Sequence, residues 1–163
     1  MDRNARRAAL TLVPNNTPEV APAVSFCSHC AARPEVTEPG SRVCFSCGLG
    51  LLLQAPADVA PKPGDPFLVL DGALSVCAVS DEAERLLAIS ETHAVNHHVT
   101  ELLVPADSEG QASSNLAVAV TWAARGDGQT RRVVVRPANT FGIRLSARIT
   151  SCGPPTAALI VFD

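Results

Sequence analysis

The chain has 163 residues, a formal net charge of −3 and 47% hydrophobic residues. That is enough for one packed domain plus a smaller appendage and excludes an intrinsically disordered protein. The acidic balance removes the general attraction to phosphate that nucleic-acid binders use, and with no Tyr and 4% aromatic residues, platforms for stacking single-stranded bases are scarce.

In chain order, residues 1–24 mix Pro, Asn and Ala without period and predict a flexible arm. They lack the apolar run of a secretory signal, and no later stretch is apolar over a membrane-spanning length, so a cytoplasmic location with reduced cysteines and no membrane attachment is expected. Residues 25–54 carry a cysteine segment. Residues 55–65, APADVAPKPGD, read as a Pro-rich linker, and 66–163 as the main domain.

The main domain opens with PFLVLDGALSVCAVS, two strand-like runs around Asp71-Gly72, a dipeptide suited to a tight hairpin. Ser80 and Asp81 precede a short helix, with Glu84 placed as in a capping box and Ala83, Leu86 and Leu87 as its apolar stripe. One further helical turn is expected over Thr100 to Leu103, before Pro105, and a longer helix over 113–125, ended by Gly126 and Gly128. TRRVVVRP, FGIRLSARITS and TAALIVFD follow as strands, the second alternating Phe141, Ile143, Leu145, Ala147 and Ile149 against Arg144, Ser146 and Arg148. Two strands, short helices and three strands predict an α+β fold with helices on one face of an antiparallel sheet.

CSHCAARPEVTEPGSRVCFSC, residues 27–47, sets two CxxC pairs thirteen residues apart. Each two-residue gap lets a tight turn aim both sulfurs inward, and the intervening loop brings the pairs together around a tetrahedral ion. Cys27, Cys30, Cys44 and Cys47 are the expected ligands of one structural zinc per chain. Iron in the same sulfur site is the alternative; a thioredoxin-like redox pair needs one CxxC opening a helix. His29 lies inside the first pair as a solvated neighbour of a complete set.

The segment ending VCFSCGLGLLL resembles a zinc ribbon. Such ribbons often bind nucleic acid or protein, but Arg33 and Arg42 here stand against Glu35 and Glu38, a balance that disfavours a DNA-reading face. From Asp65 onward, PFLVLDGALSVCAVSDEAERLLAIS, ISETHAVNHHVTELLVP, TRRVVVRPANTFGIRLSARIT and ALIVFD together resemble a PAS domain, with Asn96 standing where Gly is usual. The resemblance implies a five-stranded antiparallel sheet with helices over one face and a pocket for a small ligand. It also implies neither adduct-forming flavin, since Val99 occupies the position of the reactive cysteine, nor haem, since the long helix has no His.

His93, His97 and His98 are expected as polar surface, with a metal role the minor alternative. Cys77 and Cys152 are expected as small buried residues, Trp122 as core, and Arg132, Arg136, Arg144 and Arg148 as a stripe on the outer sheet face. No Ser-His-Asp, Cys-His or paired-carboxylate arrangement supports an enzyme. The expected function is a non-catalytic sensory or adaptor protein in signal transduction, whose PAS-like domain binds a small ligand or a protein partner. The ribbon is its docking element, and the chain works as a homodimer through the PAS-like part and with a signalling partner. The competing possibility is a transcription-associated regulator whose ribbon contacts nucleic acid or polymerase.

Overall fold

The computed structural model describes residues 22–34, 41–106 and 112–163. A small two-stranded sheet comes first: β1 (Ala23–Cys27) pairs antiparallel with β2 (Leu52–Pro56), placing Phe26 opposite Leu53 and Cys27 opposite Leu52. The flexible arm expected over 1–24 falls largely outside the described residues, but Ala23 and Val24 belong to β1.

The main unit follows as β3 (Phe67–Leu70), β4 (Val76–Val79), α1 (Asp81–Leu87), α2 (Glu91–Ala94), α3 (Val99–Leu102), β5 (Leu103–Pro105), α4 (Ala112–Ala124), β6 (Arg131–Pro137), β7 (Leu145–Cys152) and β8 (Ala157–Phe162). Its strands form one antiparallel sheet in the order β4-β3-β8-β7-β6-β5. The α+β expectation holds. The sheet has six strands rather than five, because Leu103–Pro105 pairs with the end of β6, Leu103 opposite Pro137, instead of continuing the α3 turn. Pro105 is tolerated there because β5 is an edge strand.

Local chemistry departs from expectation in three places. Asp71-Gly72 does not make a two-residue hairpin. The turn runs from Asp71 to Ser75, with Asp71 Oδ1 accepting from the N–H groups of Ala73 and Ser75, each at 2.9 Å, and Leu74, not Gly72, taking the positive φ of 65°. The capping box of α1 is also absent: Ser80 Oγ caps alone, accepting from Ala83 N at 3.1 Å, while the Glu84 carboxylate accepts from Glu91 N and joins α1 to α2. The alternation expected from Phe141 begins only at Leu145. Phe141 and Ile143 precede β7 and are exposed, because Gly142 takes a positive φ of 83° and turns the chain. Asn96 does adopt left-handed backbone, with φ 69°, as its Gly-like position requires.

Two cores lie on the two faces of the sheet. The inner one packs Leu68, Leu70, Ala147, Ile149, Ile160 and Phe162 against α1, α3 and α4. The outer one joins Phe67, Val69, Ala78, Leu159 and Val161 to Phe26, Leu53, Ala55, Val59 and Ala60. The stretch 55–65 is therefore no free spacer: Ala55 and Pro56 extend β2, and Val59 and Ala60 are buried against the sheet. Consecutive residues of β3 and β8 point to opposite faces and are buried on both.

Candidate metal centre on the outer sheet face

The four cysteines are presented by two turns of the same design. In each, the first cysteine's carbonyl accepts from the N–H four residues on, Ala31 N to Cys27 O at 3.1 Å and Gly48 N to Cys44 O at 2.9 Å. In each, the residue after the second cysteine has a positive φ, 57° at Ala31 and 69° at Gly48. The turns are tied together by Ser28, whose N–H donates to Leu51 O at 2.8 Å and whose hydroxyl accepts from Leu51 N at 3.0 Å.

The four Sγ atoms lie within 4.8 Å of one another, with Cys27–Cys47 at 3.6 Å and Cys30–Cys44 at 3.9 Å. Metal–sulfur bonds of about 2.3 Å in a tetrahedron give edges of about 3.8 Å, which the Cys27–Cys47 and Cys30–Cys44 pairs match, so the four thiols form a donor set suited to a metal ion. The N–H groups of His29 and Cys30 point at Cys27 Sγ, at 3.4 and 3.5 Å. Gly50 closes the cradle: a Cβ there would stand 2.3 Å from Cys27 Sγ and 2.8 Å from His29 N.

Burial pushes the Cys27 thiol up to about 12, against the opposing pull of the Cys30 and His29 N–H groups; Cys30 is raised by the same cause. Burial acts upward on Cys47 too. There it is outweighed by the N–H groups of Gly50 and Leu49 and by the Cys27 and Cys30 thiols, which bring it down to about 6.

The module that carries the cluster lies on the main unit. Phe26 packs on Phe67, Gln54 and Gly153 exchange two backbone hydrogen bonds at 2.6 and 3.0 Å, Arg148 Nη1 donates to Asp58 O at 3.2 Å, and Arg42 donates to Pro154 O. His29 is not a solvated neighbour. Its carbonyl accepts from Asp81 N at 3.4 Å, and its Nδ1, buried without a hydrogen-bond partner, lies 3.9 Å from a Glu91 carboxylate oxygen. A cleft of about 940 Å³ opens where the β1–β2 hairpin meets the 126–130 loop and the β7–β8 turn, lined by Gln54, Asp58, Gly128, Thr130, Cys152 and Pro154 among others.

The remaining candidates stay apart. His93, His97 and His98 bond three different neighbours, Ser90 at 2.6 Å, Glu101 at 2.9 Å and Thr100 at 2.7 Å, and do not converge. The His97 hydrogen bond, ahead of the His98 N–H, holds the Glu101 carboxyl below its usual range. Cys77 is exposed rather than buried, because the register shifts between Val69 and Leu70 and leaves Cys77 without a partner on β3. Cys152 is buried beneath the module, and burial, with Cys77 nearby, pushes it up to about 12. Trp122 is half exposed instead of core. Val99 is fully buried in the inner core. Of the arginine stripe, Arg132 and Arg148 face each other across β6 and β7 and share the Asp163 carboxylate, at 3.4 and 2.7 Å, while Arg136 stacks over Phe141. Glu35 and Glu38 lie outside the described residues.

Gly50, Phe26, Val59 and Arg148 were not singled out from sequence as parts of this contact. One signal for it was present: FLVL and AALIVF are unbroken apolar runs, which a sheet open on one face does not need.

No family model matches the sequence, and no curated protein matches it. Solved structures similar to the chain include the PAS domain of nitrogen regulation protein NR(II) from Vibrio parahaemolyticus, 16% identical over 61% of this chain and 88% of that one with a TM-score of 0.44. The PAS domain of an HTR-like protein from Haloarcula marismortui is 11% identical over 61% and 84%, with a TM-score of 0.47. A domain of a sensory box sensor histidine kinase/response regulator from Geobacter sulfurreducens is 13% identical over 61% and 82%, with a TM-score of 0.46. The main unit itself is one six-stranded antiparallel sheet with its helices packed on one face. That sheet carries the four-cysteine cluster on the face opposite the helices. No helix among the described residues is long and apolar enough to cross a membrane.

Proposed function

We propose that this chain is a non-catalytic sensory or adaptor protein in signal transduction, in which a four-cysteine zinc module and a PAS-like unit act as one body through a shared core. The observation that carries it is the position of the cluster: Cys27 follows Phe26 directly, and Phe26 is buried between module and sheet. Cys27, Cys30, Cys44 and Cys47 hold one zinc, which supplies a redox-inert cross-link for a segment too small to fold alone.

Protein association is favoured over small-ligand storage, because side chains such as Leu70, Leu103, Val120 and Ile149 fill the space between helices and sheet. Self-association and partner binding then use the apolar side chains that the second cysteine turn leaves outside, Phe45 and Leu49 above all, at 68% and 73% exposure. A nucleic-acid role has less support, since Arg42 is turned toward Pro154 O.

Native mass spectrometry of the purified chain tests this. One zinc per chain together with a dimer is expected, and Phe45→Ser with Leu49→Ser should return the dimer to monomer. Absence of bound metal would reject the zinc module, and a wild-type monomer at tens of micromolar would reject self-association.

A further inference from the structure

Among the described residues, the four-cysteine module has no interior of its own. Its described buried aliphatic and aromatic side chains, Phe26, Ala31, Leu53, Ala55, Val59 and Ala60, all belong to the core shared with the sheet. Within the module, order comes from the β1–β2 pairing and the cluster, and a lone two-stranded hairpin is marginal in water. Cross-strand pairing couples the two: Phe26 opposite Leu53 touches the sheet, and the next pair along, Cys27 opposite Leu52, belongs to the cluster.

We propose that the module is a metal-held cover for the outer face of the PAS-like sheet, seated over Phe67, Val69, Leu159 and Val161 while its thiols are liganded, and released when the ion is withdrawn. This rests on the zinc site proposed above and adds control of a surface to it. Without the ion, the two cysteine turns lose their common anchor, and Phe26 and Leu53 are no longer presented as a pair. The main unit keeps an inner core that draws on no residue of the module, so the sheet survives the departure of its cover.

The seam has the make-up of a contact that opens. Its hydrogen bonds are few: the Gln54–Gly153 pair, the bond from Asp81 N to His29 O, and single bonds from Arg148 and Arg42 to carbonyls. His29 Nδ1 and Thr150 Oγ1 are buried without hydrogen-bond partners in the seated state, and both regain water when the cover lifts. The chain between the two parts turns at Lys62–Asp65, where Lys62 N donates to Asp65 Oδ2 at 2.9 Å, Asp65 N donates to Lys62 O at 2.9 Å, and Gly64 has φ 96°. Lys62, Pro63 and Gly64 are exposed, so the turn is free to act as the pivot.

Two cysteines outside the cluster report on the cover. Cys152 lies at the edge of the seat, against the wall of the cleft and only 6% exposed, and Cys77 lies outside it. Full-length protein is labelled with a maleimide before and after a zinc chelator, with metal content measured on both samples and each thiol quantified by peptide mass spectrometry. Cys77 should label at the same rate throughout, and Cys152 about tenfold faster or more after metal removal, as expected for local opening. Amide exchange in α4 and β6 should stay slow. A second variant, Val59→Asp, places a charge in the seam away from the thiols; it should retain zinc and still label Cys152 rapidly.

Three results overturn the proposal while leaving the zinc site standing: Cys152 protected after verified metal loss, α4 and β6 losing protection together with it, or Cys152 protected in zinc-loaded Val59→Asp. Protein purified without any metal overturns the zinc site itself and the cover with it.

Discussion

The ring of Phe26 meets that of Phe67 edge to face, with centroids 5.8 Å apart and planes at 84°. One residue precedes a cluster cysteine and the other opens the first strand of the main sheet. Edge-to-face pairs place the positive rim of one ring on the negative face of the other and add to the burial of both.

Phe26→Ala should therefore destabilise the protein by about 3–5 kcal/mol, the range for deleting a buried aromatic ring. Urea unfolding followed by far-UV circular dichroism measures it. An unchanged midpoint would show that the two parts do not share a core energetically.

The same core changes what loss of a cysteine does. Separated by a free linker, the main unit would melt alike with and without the cluster. Across a shared core, Cys44→Ser should abolish stoichiometric zinc and also lower the melting temperature of the main unit by several degrees while its transition stays cooperative. Calorimetry of wild type and variant decides between the two.

Gly50→Ala tests the cradle. The added methyl would stand 2.3 Å from Cys27 Sγ, so the second turn must retreat from the first. Zinc affinity should fall by about tenfold or more, the scale on which groups around metal ligands act, in a competition titration against a chromogenic chelator. Wild-type affinity would mean that the turns close without needing that approach.

Ser80 serves two backbone donors at once, Phe67 N at 2.9 Å and Ala83 N at 3.1 Å, from a site 1% exposed. Ser80→Ala removes the cap of α1 and strands a buried N–H of β3. A loss of about 2 kcal/mol is expected, a cap and an unsatisfied donor together. Ser80→Thr, which keeps the hydroxyl, should recover much of it in the same unfolding assay.

The Arg131 guanidinium beside Asp127, at 2.6 Å, and then the Gln129 N–H hold the Asp127 carboxyl below its usual range. A depressed folded value means that the pair's stabilising effect is present above the unfolded value and is lost as pH falls through the folded one. NMR titration should find Asp127 below the ordinary aspartate range in wild type and shifted upward in Arg131→Ala, where only the Gln129 N–H still holds it down. Equal values in the two proteins would remove Arg131 as the cause.

Element identity was legible because period and punctuation agreed: DEAERLL behind Ser80, the alanine-rich run before Gly126, and three closing strands each became the element expected. The four ligand candidates were legible because CxxC spacing alone dictates where two sulfurs point. What sequence did not reveal is where the module goes. Its seat depends on pairings far apart in the chain, Phe26 with Phe67 and Arg148 with Asp58, and nothing local in APADVAPKPGD separates a docked strap from a free one. Asp71-Gly72 misled because the Asp71 side chain holds a wider turn than its dipeptide implies.

Burial of β3 and β8 on both faces bears on how the polypeptide can be divided. A fragment beginning near Asp65 would carry all six strands of the main sheet and yet leave Phe67, Val69, Leu159 and Val161 facing water in adjacent central strands. Such a fragment should precipitate or self-associate on expression while the longer polypeptide stays in solution, so its solubility is encoded in residues that the cut discards.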